Sequence, residues 1–425
     1  MKEFLIEDVR SMEVLDSRGN PTVKTWVRTS GGFVGSFSVP SGASKGVHEA
    51  VELRDGGRRL GGKGVLRAVA NVEGPLAAVV IGRDVRMQRE IDLAMVEADG
   101  TPDKSRFGAN AILSVSMAVA KAAAVGLRMP LYRYVGGSNA HVLPVPLLNV
   151  LNGGLHAGND LAIQEFMIVP AAFDSFREAL YAAVEVYREL GRILVDRYGK
   201  GAKNLGDEGG YAPPMKETRE ALDALMSAIE AAGHDGKVFL ALDAAASSFY
   251  RDGKYSIDGR ELSAEALLDY YERLLEEYPI ISVEDPFYEE DFETLARMTR
   301  ELGDRIQIVG DDYFTTNVSR LKIGISRGAA NSLLWKINQV GTLTEALEAA
   351  RLAQSNGYSV IVSHRSGETT DAAIADLAVA INAGQIKTGA PARGERVAKY
   401  NRLLEIEEDL GSVAVYPGLS AFRRG

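Results

Sequence analysis

Apolar residues recur along this chain in two rhythms. In residues 21–40, "PTVKTWVRTSGGFVGSFSVP", apolar and polar positions alternate on either side of Gly31 and Gly32, the pattern of a β-hairpin. "SGASKG" comes next as a small-residue loop. Residues 65–82, 85–99 and 108–127 then repeat apolar positions at helical spacing. Asn110 stands where it could cap the last of these helices. Together they predict an α+β domain over residues 1–138. "YVGGSNAHVLPVPL", rich in Gly and Pro, reads as the link to a second domain.

Over residues 139–425 the rhythm changes. Short apolar runs alternate with amphipathic stretches: "VPLLNVL", "EFMIVP", "VFLALD", "IISVED", "IQIVGDD", "NSLLWK", "YSVIVSH" and "GQIKTG". Between most of them lie helical segments such as "SAEALLDYYERLLEEY" and "TEALEAARLAQSNG". Eight such runs predict an α/β fold, a (β/α)8 barrel. The rival is an open doubly wound sheet, but no G-x-G-x-x-G follows a strand here. Between the first two runs lies only "NGGLHAGNDLAIQ", too short for a crossover helix. The first strands are therefore expected to be antiparallel and the barrel irregular at its start.

Composition narrows the chemistry. Cys is absent, which excludes disulfides, thiolate metal sites and cysteine nucleophiles and fits a reducing compartment. The formal net charge is −10 and no basic run occurs, so nucleic acid is not an expected partner. No window of about 18 uncharged apolar residues occurs, so no membrane span is expected. "MKEFLIEDVR" has no apolar core of the kind a signal peptide needs.

Six consecutive late strands each end in charge: Asp243, Glu284 with Asp285, Asp311 with Asp312, Lys336, His364 with Arg365, and Lys387. From Glu284 to Lys387 these ends lie 23–28 residues apart, about one βα unit. In a barrel all of them converge on the face where active sites sit. A single acid after a strand is more often a helix cap; six in succession are a site. Hard carboxylate oxygens without Cys or clustered His suit Mg²⁺. Asp243, Glu284 and Asp311 are the expected ligands, with Asp285 and Asp312 turned to the other side as supporting groups. Lys336, His364, Arg365, Ser366 and Lys387 form the opposing anion site. Glu208, in the Gly-rich "NLGDEGGYAPP", and Glu165 are candidate general acids. Lys336, flanked by apolar residues, is expected to have a depressed pKa.

The motifs "DSRGNPTV", "VPSGAS", "LPVPLLNVLNGGLHAG", "QEFMIVP", "GDEGGYAP", "EDPF", "VSHRSGET" and "GQIKTGAPARGER" occur in order across both domains and resemble those of the enolase family. The resemblance runs from Met1 to about Gly411. It implies Mg²⁺-dependent, reversible dehydration of 2-phosphoglycerate to phosphoenolpyruvate in glycolysis and gluconeogenesis. Lys336 would be the base at C2 and Glu208 the acid at the C3 hydroxyl, assisted by Glu165. Asp243, Glu284 and Asp311 would hold the first Mg²⁺. A second Mg²⁺ would arrive with substrate and be held by Ser44. Lys387 would steady the substrate carboxylate, and Arg365 with Ser366 would hold the phosphate. His156, Gln164 and His364 would complete the closed site. "SGASKGVHE", "LHAGND" and "SSFYRDGKYS" match family segments that close over substrate. The family also implies a small-molecule substrate, a cytoplasmic location and a homo-oligomer, dimer or octamer.

The chain departs from the family's usual residues at Lys45 (Thr), Ser248 (Glu) and Trp335 (small or aliphatic). Lys45→Thr is expected to tighten Mg²⁺ binding at the second site; equal Mg²⁺ activation curves for the two proteins would refute this. Strand alternation sends Trp335 away from Lys336, into the layer between barrel and helices. The alternatives are an acid-sugar enzyme of the same superfamily, a Schiff-base aldolase using Lys336, and a non-enzymatic protein on this scaffold. The first fits "SHRSGET" poorly, and the last would have lost a base, acid or ligand, whereas every one is present.

Overall fold

A computed structural model describes residues 2–42, 46–154 and 157–422. Ser44, Lys45 and His156 lie outside the described residues.

In the N-terminal domain, β1 (Ile6–Leu15), β2 (Pro21–Thr29) and β3 (Val34–Ser38) form an antiparallel sheet in that order. The β2–β3 hairpin turns at Gly32, whose φ of 81° favours glycine. The sheet packs on the helix Ala109–Gly126. A Cβ on Gly35 would lie 2.1 Å from the carbonyl oxygen of Ala118, so only glycine lets strand and helix approach this closely. By length and composition this helix could cross a membrane, but 83% of it is buried inside the protein as a core helix.

Asn110 does not cap that helix. Gly108 is its N-cap residue, and Asn110 is buried in the first turn. Its side chain accepts from the backbone N–H of Leu53 at 3.0 Å and donates to the Leu53 carbonyl at 3.1 Å. Tertiary pairing has taken over a side chain with the chemistry of a cap. The predicted helix over residues 65–82 is interrupted by a π-helical stretch, Val72–Leu76, that contains Pro75.

The second domain is a closed barrel. It contains β4 (Val145–Asn152), β5 (Glu165–Val169) and β6 (Phe239–Asp243). After β6 comes a separate small meander of β7 (Tyr250–Arg251), β8 (Lys254–Ile257) and β9 (Arg260–Leu262). The barrel then continues through β10 (Ile280–Glu284), β11 (Gln307–Gly310), β12 (Ser332–Trp335), β13 (Ser359–Ser363) and β14 (Gly384–Lys387). All eight sequence-read strands are present. β5 is antiparallel to both β4 and β6, and every other barrel pairing is parallel. The meander falls where the sequence reads a loop. Its turn, Asp252-Gly253, has φ of 49° and 82°, the left-handed pair that suits a two-residue hairpin.

Barrel strands separate their side chains by alternation. Leu334, Val309, Ile361, Ala241 and Met167 fill the interior below the mouth. Trp335 points the other way, fully buried against the helix Leu343–Ser355, where its Nε1 donates to the Ala346 carbonyl at 2.6 Å.

Candidate active site

Because β5 runs backwards, its first residue reaches the same mouth as the last residues of its neighbours. Glu165 pairs in register with Asp243, the final residue of β6. Asp243 pairs in turn with Glu284, the final residue of β10. Three carboxylates thus stand side by side, and all are buried. Lys387, the last residue of β14, meets them with one ammonium. Its Nζ lies 2.8 Å from Asp243 Oδ2, 2.8 Å from Glu284 Oε2 and 3.3 Å from Glu165 Oε2. Burial opposes charge on Lys387, but Asp243 and its neighbours hold its pKa well above the ordinary value. Glu284 is pushed well above the carboxylate range by burial and then by Asp243. Glu165 is pushed up likewise by burial and then by Glu208.

Lys336 follows β12 directly. It is ion-paired with Asp311, whose other oxygen accepts from Gln339 Nε2 at 2.9 Å. The expected depression of Lys336 is not found. Burial does push it down, but the Asp311 carboxylate outweighs burial and the nearby Arg365, so its pKa is raised. The same contact holds Asp311 below the usual range despite its burial.

Asp285 and Asp312 are not turned away: both line the mouth. β10 ends at Glu284, and Asp285 takes a left-handed φ of 43°, so strand alternation no longer governs it. Its carboxylate accepts from the backbone N–H groups of Asp311 and Asp312, both at 2.9 Å. Asp285, Asp311 and Asp312 each offer an oxygen within 4.8 Å of the others. Burial and then Asp311 push Asp312 up to about 8. Of the expected trio, Asp243 and Glu284 pair with Lys387 and Asp311 pairs with Lys336.

The loop 206–210 carries Glu208 into the mouth while its neighbour Asp207 is half-exposed. Glu208 Oε2 accepts from Asn149 Nδ2 at 3.0 Å and stands 3.3 Å from His364 Nε2. Burial lowers His364 to about 4, against the pull of Glu208. Arg365 is gripped from the N-terminal domain: Glu49 accepts from both its Nη atoms, at 2.9 and 3.1 Å. Gln164, Glu165, Glu208, Asp243, Asp311, Lys336, His364, Arg365, Ser366 and Lys387 all line one cleft of about 230 Å³.

The family description "Enolase, N-terminal domain" matches residues 6–135, and "Enolase, C-terminal TIM barrel domain" matches residues 140–424. The enolase of Methanocaldococcus jannaschii is 60% identical over 410 residues, 96% of each chain. That of Pyrococcus furiosus is 60% identical, covering 98% of this chain and 97% of its own. That of Rubrobacter xylanophilus is 59% identical, covering 97% of each. The chain belongs to the enolase family. It is a lyase, a phosphopyruvate hydratase, and its reaction is the dehydration of 2-phosphoglycerate to phosphoenolpyruvate.

For an enolase site, several partners here went unread in the sequence: Asn149, Glu49, Gln339 and the buried cations Arg396 and Lys399. Asn149 had a signal, a lone amide in the apolar run "VPLLNVL". So did Arg396 and Lys399, which fall on the apolar stripe continued by Leu403, Ile406 and Leu410. Glu49 had none, because its partner lies 316 residues away.

Proposed function

We propose that the dehydration runs with Lys336 as the base at C2 and Glu208 as the acid at C3, on a Mg²⁺-dependent site. The supporting observation is that one small cleft brings Lys336 together with Glu208, between a carboxylate-rich wall and the cations Lys387 and Arg365.

The donor chemistry fits a divalent ion. Glu284 and Asp285 are buried carboxyls raised by burial and then by nearby carboxylates, Asp243 for Glu284 and Asp312 for Asp285, and a hard cation would stabilise their ionised forms. A Mg²⁺ held by Asp243, Glu284 and Asp311 would share the negative charge that builds on the substrate carboxylate. The family reading adds a second Mg²⁺ that arrives with substrate, with Ser44 among its ligands.

The chain's own residues do the rest. Lys336 Nζ takes the C2 proton. With Asp311 and Glu284 engaged elsewhere, burial, Arg365 and Lys387 all act on Lys336 downward and favour the neutral amine the step needs. Lys387 faces the charge that develops as that proton leaves. Glu208, with Glu165 beside it, gives a proton to the C3 hydroxyl, which departs as water. Arg365, whose fork is held by Glu49 in this structure, would turn it to the phosphate together with Ser366, and the family reading adds Gln164 and His156 as substrate-binding residues.

Base and acid can be separated experimentally. Turnover of 2-phosphoglycerate is expected with Mg²⁺ and to be lost with EDTA. Lys336→Ala should abolish exchange of the C2 proton with solvent deuterium while the fold is kept. Glu208→Gln should keep that exchange and lose dehydration. Exchange retained in Lys336→Ala would refute the base.

A further inference from the structure

The helix Gly394–Leu410 inserts a guanidinium beneath the mouth, at a point that none of the proposed catalytic steps uses. Arg396 is fully buried. Its Nη1 faces His364 Nδ1 at 2.6 Å and donates to the Arg365 carbonyl at 2.7 Å. Its Nη2 donates to the Ser366 carbonyl at 2.6 Å and to the Asp207 carbonyl at 3.1 Å. The two Nη groups carry four hydrogens and meet four partners. A guanidinium has no acceptor and does not deprotonate, so Nδ1 of His364 must be the acceptor. A proton on Nδ1 would set donor against donor.

We propose that Arg396 is a positioning residue that fixes His364 as the neutral imidazole with its proton on Nε2, aimed at Glu208. The proposal deepens the assignment of Glu208 as the acid and rests on it. His364 Nε2–H and Asn149 Nδ2–H then both address Glu208 Oε2. With Oε2 receiving two donors, the proton that Glu208 gives to the departing hydroxyl is carried on Oε1. Backbone geometry supports the same convergence. Gly389 has φ of 82°, and a Cβ there would lie 2.6 Å from the Glu208 carbonyl oxygen, 3.0 Å from Arg396 Cδ and 3.2 Å from His364 Cε1. The other charged groups around His364 are Glu368, which Lys399 neutralises at 2.8 Å, and Lys387, whose carbonyl accepts from the His364 backbone N–H at 2.9 Å. Burial disfavours the imidazolium and agrees with the neutral ring.

The test is nitrogen NMR of the whole protein labelled with ¹⁵N-histidine. With 5 histidines, His364 is assigned by its loss in His364→Asn. In the unaltered protein, Nδ1 should be pyridine-like and Nε2 pyrrole-like, unchanged from about pH 8 to about pH 5. Arg396→Met keeps the bulk and removes the donors. It should let His364 exchange tautomers and bind a second proton about a unit or more higher. The acid limb of the kcat profile should move up with it, and kcat near neutrality should fall about tenfold or more with KM changed less. Arg396→Lys restores one donor and should bring the limb back towards its original position. A proton on Nδ1, or an imidazolium above about pH 6, in the unaltered protein would overturn the proposal. So would an Arg396→Met enzyme that loses kcat with tautomer and limb unmoved. The measurement on the unaltered protein decides the matter even if Arg396→Met does not fold. Because tautomer is read without turnover, a wrong assignment of Glu208 would show separately, as dehydration retained in Glu208→Gln.

Discussion

Trp335 and Lys336 are adjacent in sequence and serve opposite sides of the barrel wall. Trp335 is fully buried towards the helices and bonded to Ala346; Lys336 opens into the cleft beside Asp311. Trp335→Leu removes a large packed ring and a buried hydrogen bond, an expected loss of about 2–4 kcal/mol. Urea unfolding would measure it. The pH dependence of kcat should not move, and a shifted profile without loss of stability would show that the indole acts on the lysine. Lys336 itself teaches a different lesson. Apolar flanks suggest a depressed amine, but a flank in sequence says only that the group is desolvated. The counter-charge from Asp311, 25 residues earlier, decides the direction.

At the scale of elements, what was legible came from repetition. Eight apolar runs ending in charge gave the barrel and its mouth, and a linker too short for a helix gave the reversed strand. The unread parts depend on single geometries. Asp285 escapes strand alternation because one backbone angle turns it, and Asn110 leaves its capping role because Leu53 offers a buried backbone partner. The helix Gly394–Leu410 shows how burial of charge hides in a pattern: Arg396 and Lys399 occupy its buried face as Leu403 does. Lys399 Nζ donates to Glu368 Oε2 at 2.8 Å and to the Thr369 carbonyl at 2.6 Å, tying the helix to the loop after β13. Lys399→Met would leave buried Glu368 without its ion-pair partner, held by the backbone N–H groups of Arg365 and Thr369, and is expected to cost about 3 kcal/mol. Glu368 is lowered in the fold: burial opposes its charge, but Lys399 and then Arg396 prevail. The unfolded state therefore binds its proton first as pH falls. The stability this carboxylate adds is complete above its ordinary value and is lost as pH drops through the lowered one. The difference in unfolding free energy between the unaltered protein and Glu368→Gln should shrink below about pH 4. A difference constant down to pH ~3 would contradict this.

For the whole molecule, the mouth concentrates buried charge of both signs in an acidic protein. Net charge is −10, and ion pairs join the two domains: Glu49 of the N-terminal domain reaches Arg365, and Lys121 crosses to Asp371 at 2.7 Å. The raised carboxyls Glu165, Glu284 and Asp285 bind protons more readily folded than unfolded, so their charged forms weigh against the fold as pH rises. A cation that binds Glu284, the one of these among the proposed Mg²⁺ ligands, should therefore stabilise the protein. Mg²⁺ at about 100 times its Kd is expected to add about 2.7 kcal/mol, seen as a raised melting temperature that EDTA reverses. The gain should diminish as pH falls and the carboxyls protonate; a melting temperature indifferent to Mg²⁺ would argue against ion binding.

The reversed strand has a consequence for biosynthesis. β4, β5 and β6 can pair as an antiparallel sheet once Asp243 has left the ribosome, with no help from later strands. The free side of β4 must wait for β14, the last barrel strand to be made, which closes the ring. That strand also carries Lys387, so the acids of β5, β6 and β10 are assembled before their shared counterion exists. A chain stopped at Ala383 is thus an open sheet, unpaired at β4 and β13, whose clustered acids lack their shared counterion. Limited proteolysis should cut it throughout the barrel, where the finished protein resists.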